Sequence, residues 1–203
     1  MKKGLNEIIF VLDMTGSMST IKYETIIGCN NFIEEQKKGP GEAKFTLVVF
    51  NSNEYRMVYN GIPIVDVKPI DDTVYKPDGM TPLLGAVGRA IDSTGKRLDT
   101  TKEEDRPEKV ILVIMTDGEE NWSHKEEWSK PYDLKRVADM IKHQKEKYLW
   151  EVIFLGANLD AFKEADKLGI ARIDTQQFKS DPMGIKTAYA SANVRTSSYR
   201  VSK

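Results

Sequence analysis

Two stretches of the chain are continuously apolar, and each ends in a polar loop. Residues 8–12 are followed by Asp13, and residues 110–115 are followed by the segment 116–118. A continuous apolar run without alternation is typical of a strand buried on both faces of a parallel sheet. We therefore predict two central parallel strands whose carboxyl ends carry polar residues.

Two further apolar segments, residues 45–50 and 55–59, are separated only by the turn-forming residues 51–54. Strands joined by so short a loop form a hairpin, so one of them is predicted to be an antiparallel strand at the sheet edge. Additional strands are predicted at residues 150–155 and near residues 170–173.

Apolar positions with helical spacing lie between the predicted strands. Thr81 is a favoured N-cap and Pro82 a favoured first helical residue, so a helix is predicted to start there. The other stripes run through Ile21, Cys29 and Phe32, through Val137, Met140 and Ile141, through Leu159, Phe162, Ala165 and Leu168, and onward from Asp181 and Pro182. Strands alternating with helices predict an α/β fold with a doubly wound, mostly parallel, Rossmann-like sheet.

Length and composition narrow the possibilities. The 203 residues suit one domain, with a core at about residues 7–175 and a last helix and polar tail at 181–203 that is expected to fray from residue 195. The net charge of -1 argues against a nucleic-acid partner. Cys29 is the single cysteine, so no intrachain disulfide can form. The start of the chain lacks the apolar region of a secretory signal, and no apolar run reaches the ~20 residues of a membrane span. We expect a cytoplasmic protein with no membrane partner.

Three polar loops are predicted to meet at the carboxyl edge of the sheet, where open α/β sheets bind ligands. They are residues 13–17, 79–81 and 116–118, which offer carboxylates and hydroxyls but no thiol or imidazole. Ligands that are all oxygen suit a hard cation, here Mg²⁺ with Mn²⁺ as a substitute. Neutral hydroxyls leave the cation much of its positive charge, and this charge would attract a carboxylate of a partner.

The residues of these loops resemble the metal-ion-dependent adhesion site of von Willebrand factor A domains. The matching positions are Asp13, Thr15 and Ser17 in the first loop, followed by Thr81 and Asp117. The usual first-loop pattern is Asp-x-Ser-x-Ser, so Thr15 retains the hydroxyl and adds a methyl group. The resemblance covers most of the chain, from about residue 7 to about residue 173.

This resemblance implies a von Willebrand factor A fold and a division of roles among the loop residues. Thr15, Ser17 and Thr81 would supply hydroxyl ligands, while Asp13 and Asp117 would act directly or through water. The remaining position would take an Asp or Glu from a partner protein. The chain looks like the stand-alone intracellular members from bacteria or phages.

Five further residues are expected to form a partner-binding rim around this site. Trp122 and Trp128 follow Asp117, and tryptophan is a frequent interface anchor. The facing loop contributes Tyr75, Asp78 and Met80. The alternative for the two tryptophans is that they pack back onto the domain.

The predicted function is a metal-ion-dependent protein-binding module rather than an enzyme, because no nucleophile or general base accompanies the site. Two alternatives stay open. Asp13 after a buried strand resembles the nucleophile of haloacid dehalogenase-type phosphatases, although that family needs an Asp where Thr15 stands. The domain could also be a scaffold whose metal site is structural or unused. The sequence contains no P-loop, dinucleotide-binding or α/β-hydrolase motif.

Overall fold

A six-stranded sheet with helices on both faces makes up the structure, a computed structural model that describes residues 1–157 and 161–202. The strands are β1 (Lys2–Asp13), β2 (Glu42–Phe50), β3 (Tyr55–Pro63), β4 (Pro107–Thr116), β5 (Glu151–Ala157) and β6 (Thr175–Phe178). The α-helices in these ranges are α1 (Lys22–Lys38), α2 (Leu83–Thr100), α3 (Leu134–Tyr148), α4 (Ala161–Lys167) and α5 (Pro182–Val201). A short 3₁₀ helix, Gly16–Ile21, precedes α1.

The strand order is β3-β2-β1-β4-β5-β6, and every neighbouring pair is parallel except β2 with β3. This confirms the predicted α/β fold with one antiparallel edge strand. The chain leaves β1 toward β2 on one side, whereas β4 pairs with β1 on the other side. The strand order therefore reverses between β1 and β4, so a crevice is expected at their carboxyl ends.

The two central strands are buried on both faces, as their continuous apolar runs predict. Residues 8–12 of β1 are inaccessible to solvent. On one face Phe10 packs with Phe32 of α1 and stacks on the ring of Tyr189 of α5. On the other face Val11 belongs to a cluster with residues of α2 and α3, including Val137. Burial of both faces anchors the strand ends that carry the polar loops.

Three expectations about element boundaries are wrong. The last strand is not near residues 170–173: Ile170 packs into the core, Ile173 is 84% exposed in a 3₁₀ turn, and the chain reaches the sheet only at Thr175. Helix α2 begins at Leu83, so Pro82 occupies the N-cap position and Thr81 caps nothing. The last helix does not fray at residue 195 but continues to Val201.

Two cationic side chains explain why α5 stays helical to its end. Arg200 is buried and donates to the main-chain carbonyl of Gln36 at the end of α1. The ammonium group of Lys109 donates to the main-chain carbonyl of Tyr199 at 2.7 Å and so stabilises the last turn of the helix. The predicted position Leu159 lies outside the described residues. No helix within the described ranges is both long enough and apolar enough to cross a membrane.

The packing of α1 against α5 leads to a stability prediction with a matched control. A Cβ added at Gly28 would lie 2.2 Å from the ring of Tyr189, whereas one added at Gly95 of α2 would meet nothing within 4 Å. We expect Gly28→Ala to lower the free energy of unfolding by about 1–3 kcal/mol, because the added methyl group overpacks the contact between α1 and α5. Gly95→Ala should raise it by about 0.5–1 kcal/mol, since alanine is the better helix former. Urea unfolding measures both, and equal effects of the two substitutions would contradict the described packing.

Candidate metal centre

The carboxylate of Asp13 stands at the end of β1 and is fully buried. One oxygen, Oδ1, accepts the backbone N–H of Thr15 at 2.8 Å, and the other, Oδ2, accepts the hydroxyl of Thr116 at 2.6 Å. Both oxygens are therefore held by neighbours from two different strand ends. None of the ion pairs in the described ranges includes Asp13.

The first and third loops are joined through their side chains. The hydroxyl of Ser17 donates to Oδ1 of Asp117 at 2.5 Å, and its oxygen lies 3.2 Å from Oγ1 of Thr15. Thr15 and Asp117 are buried, whereas Ser17 is exposed. The cluster thus has a buried base of carboxylates and one side that faces solvent.

Thr81 reaches the same cluster from the start of α2. A Cβ placed on Gly118 would lie 3.2 Å from Oγ1 of Thr81 and 4.0 Å from Oγ of Ser17, so glycine leaves space between the two hydroxyls. The structure therefore brings all five predicted metal-site residues to one place at the carboxyl edge. These residues are Asp13, Thr15, Ser17, Thr81 and Asp117.

Burial shifts the protonation of both carboxyl groups. It raises the pKa of Asp13 from its ordinary value of 3.8 to about 7, against the hydrogen bonds from Thr116 and Thr15, and the charge of Asp117 adds to the rise. Burial also raises the pKa of Asp117, against the hydrogen bond from Ser17. Because it is costly to ionise two buried carboxyl groups side by side, a cation bound between them would stabilise their ionised forms.

The donor chemistry fits a hard divalent cation. Five oxygen-bearing side chains converge, and three of them are neutral hydroxyls. Among the described residues there is no group of three or more histidine, cysteine, aspartate and glutamate side chains able to hold a metal. A cation at this edge would consequently depend on hydroxyls as well as on carboxylates, which suits Mg²⁺ and Mn²⁺ better than a soft metal.

A set of side chains that the sequence analysis missed holds the third loop against the start of α2. Asn121 brackets Thr81: its Oδ1 accepts the N–H of Thr81 at 2.9 Å, and its own N–H donates to the Thr81 carbonyl at 3.1 Å. Glu120 accepts the N–H of Leu84 at 2.8 Å, and the Ser123 hydroxyl accepts that of Gly85 at 3.0 Å. Two N–H groups in the first turn of α2 are thereby satisfied by the loop that follows Asp117.

The turn between β2 and β3 is a second support that the sequence analysis missed. Ser52 exchanges two hydrogen bonds with Met80: its N–H donates to the Met80 carbonyl, and its Oγ accepts the Met80 N–H, both at 3.0 Å. The only sequence signal for these supports is the abundance of Asn and Ser after the strands, because side-chain bonds to distant backbone groups follow no period.

Only some of the five residues expected to form the partner-binding rim are exposed to solvent. Tyr75 is 0% exposed and cannot touch a partner, so its assignment to the rim is wrong. Trp128 is half-buried and its ring packs 5.5 Å from that of Tyr55, which is the alternative expected for the tryptophans. Trp122 is half-buried and donates to Glu126. The other two rim residues face solvent beside the site: Met80 is 42% exposed, and Asp78 is exposed.

Comparison with known proteins identifies the fold. No family model matches the sequence, and no curated protein matches it. Among solved structures, the pilus adhesin SpaC from Lactobacillus rhamnosus GG in its open conformation aligns with a TM-score of 0.65 at 11% identity, covering 98% of this chain and 30% of that chain. Proximal thread matrix protein 1 from the mussel byssus aligns with a TM-score of 0.61 at 15% identity, covering 96% and 46%.

A von Willebrand factor type A structure from Catenulispora acidiphila aligns with a TM-score of 0.57 at 17% identity, covering 95% of this chain and 42% of that chain. The chain thus spans less than half the length of each of these three proteins. At these identities the likeness shows a shared α/β fold.

The raised pKa of Asp13 leads to a prediction for the metal-free protein. Between about pH 4 and pH 7 the unfolded chain has this group ionised and the folded chain keeps it protonated, so folding stability falls as pH rises. Asp13→Asn removes this dependence. The quantity to follow is the free energy of unfolding of Asp13→Asn minus that of the wild type. We expect this difference to rise by a few kcal/mol (about 1.4 per unit of pKa shift) between pH 4 and pH 8, because only the wild type loses stability over that range. Urea unfolding in EDTA measures it, and a difference independent of pH would contradict the burial of this carboxyl group.

Proposed function

We propose that this chain is a protein-binding module that holds one Mg²⁺ ion at the carboxyl edge of its sheet. Asp13, Thr15, Ser17, Thr81 and Asp117 would hold the ion, which would supply a Lewis-acidic position for an Asp or Glu of a partner protein. The observation that carries the proposal is the convergence of these five side chains, with Ser17 exposed to the solvent side.

The arrangement of charge supports a binding role. With the ion bound, Asp13 and Asp117 would provide the negative charge at the buried base of the cluster, whereas Thr15, Ser17 and Thr81 contribute only neutral oxygens. A cation held mostly by neutral ligands keeps charge with which to attract an anionic group. The exposed side chain of Met80, next to Thr81, offers an apolar contact beside that position.

The surroundings of Asp13 argue against phosphotransfer. A nucleophilic carboxylate must reach its substrate, but Asp13 is fully buried and both of its oxygens already accept hydrogen bonds. The position two residues later, which would provide an acid or base, is a threonine. We accordingly expect no turnover of a phosphomonoester such as p-nitrophenyl phosphate.

The names of the structural neighbours agree with a binding role. One is a pilus adhesin and another is a matrix protein of the mussel byssus. The stand-alone bacterial or phage type and the cytoplasmic location remain predictions from the sequence.

Metal titration tests the proposed site. Isothermal titration of the metal-stripped protein with Mg²⁺ and Mn²⁺ should show saturable binding with one ion per chain. Asp13→Ala should abolish it, and Ser17→Ala should weaken it about tenfold or more, since the loss of a residue that only supports a ligand already costs about that much. Ser19→Ala is the matched control, since Ser19 is exposed on the same 3₁₀ helix and should bind as the wild type does. Equal binding by the wild type and Asp13→Ala would contradict the proposal.

A separate measurement tests the recognition of carboxylates. We expect acetate to change the electron paramagnetic resonance spectrum of the Mn²⁺-loaded protein in a saturable manner, because its carboxylate joins the cation. Acetamide, which has nearly the same shape without the charge, should leave the spectrum unchanged. Identical spectra with acetate and without it would contradict carboxylate capture, even if Mn²⁺ itself binds.

A further inference from the structure

Tyr75 connects the interior of the domain to the backbone of the candidate metal centre. Its side chain is fully buried, and its hydroxyl donates to the main-chain carbonyl of Asp13 at 2.6 Å. Asp13 is the last residue of β1, so this bond acts where the central strand passes into the first loop. The bond joins residues 62 positions apart in the sequence.

The residues after Tyr75 continue along the same loop. The N–H of Lys76 lies 3.2 Å from Sδ of Met14, and the N–H of Asp78 donates to the Met14 carbonyl at 3.0 Å. The carbonyl of Gly79 accepts the N–H of Gly16 at 3.0 Å. Residues 75–79, here called the strap, therefore contact the first loop at each end and in the middle.

Within the described part of the chain, the bond from Tyr75 is a fully buried attachment to the first loop that a side chain of the strap makes. A buried carbonyl without a donor is costly, so loss of this hydroxyl would favour rearrangement of the loop. The carbonyl and the carboxylate that it stabilises belong to the same residue, Asp13. Any rearrangement would consequently displace the carboxylate and its bond from the N–H of Thr15.

We propose that Tyr75 is a positioning residue, which fixes the first loop so that Asp13, Thr15 and Ser17 face the centre of the site. The effect of Tyr75 on metal binding rests on the proposed function. The effect of Tyr75 on the order of the loop does not, because the bond joins two groups of the chain itself.

Tyr189 provides a matched control on the same face of the sheet. It belongs to the same apolar cluster as Tyr75, and its ring stacks on that of Phe10 with a centroid distance of 5.9 Å. Its hydroxyl is buried and has no hydrogen-bond partner among the described residues. Tyr75→Phe and Tyr189→Phe remove the same atom from the same core, but only the first removes a bond to the site.

The experiment compares hydrogen exchange of the Thr15 amide, relative to the Ile114 amide in β4, in the metal-free wild type and both variants. We expect Tyr75→Phe to speed the relative exchange of Thr15 about tenfold, the size expected from one lost buried hydrogen bond. Tyr75→Phe should also weaken Mn²⁺ binding about tenfold, whereas Tyr189→Phe should change neither quantity. Unchanged exchange in Tyr75→Phe would overturn the proposal, as would faster exchange with Mn²⁺ affinity equal to that of the wild type.

Failure of the proposed function gives a different result. If the wild type binds no Mn²⁺ but Tyr75→Phe speeds exchange of Thr15, the metal site is wrong and the positioning role stands. If Tyr75→Phe does not fold, Arg56→Gln tests the strap, since the guanidinium of Arg56 donates to the carbonyl of Val74 beside Tyr75. We expect this variant to speed the exchange of Thr15 by a smaller factor, and an unchanged rate would overturn the proposal.

Discussion

The burial of the Asp13 carboxyl group is the constraint around which the site is built. A carboxylate inside a protein is costly unless its oxygens are hydrogen-bonded or its charge is balanced. Here the Thr15 N–H and the Thr116 hydroxyl occupy both oxygens, yet the pKa still rises to about 7. Hydrogen bonds alone do not offset the burial, and a cation bound at the same place would complete the balance. This cost of ionising a buried carboxyl group is the physical reason why we propose a metal centre at the edge of the sheet.

The loops around Asp13 are attached to one another as well as to the sheet. Asn121 brackets Thr81, Ser52 brackets Met80, and the strap of residues 75–79 holds the first loop. A site whose supporting residues are themselves fixed presents its ligands in one geometry. The strands β1 and β4 are buried on both faces and give these loops a rigid base. The order of the site therefore depends on the burial of the sheet.

The elements with a strong local pattern of apolar residues could be predicted from the sequence, while features set by single long-range contacts could not. Continuous apolar runs identified β1 and β4, and the short turn at 51–54 identified the antiparallel edge strand. The five side chains of the candidate centre were predicted to meet because parallel strand ends share an edge. The burial of Tyr75 was missed because its neighbours in the strap are polar. The support from Glu120 and Asn121 was missed because bonds across some 40 residues leave no pattern.

The central claim is that a single cation lies among the five side chains at the carboxyl edge. Crystals grown with Mn²⁺ and measured at the manganese absorption edge test it most directly, because anomalous scattering at that edge comes from the ion and gives its position. The account predicts one strong peak within bonding distance of the hydroxyls of Ser17 and Thr81, close to the carboxylate of Asp117. No peak among these residues, or one confined to surface carboxylates elsewhere, would contradict it.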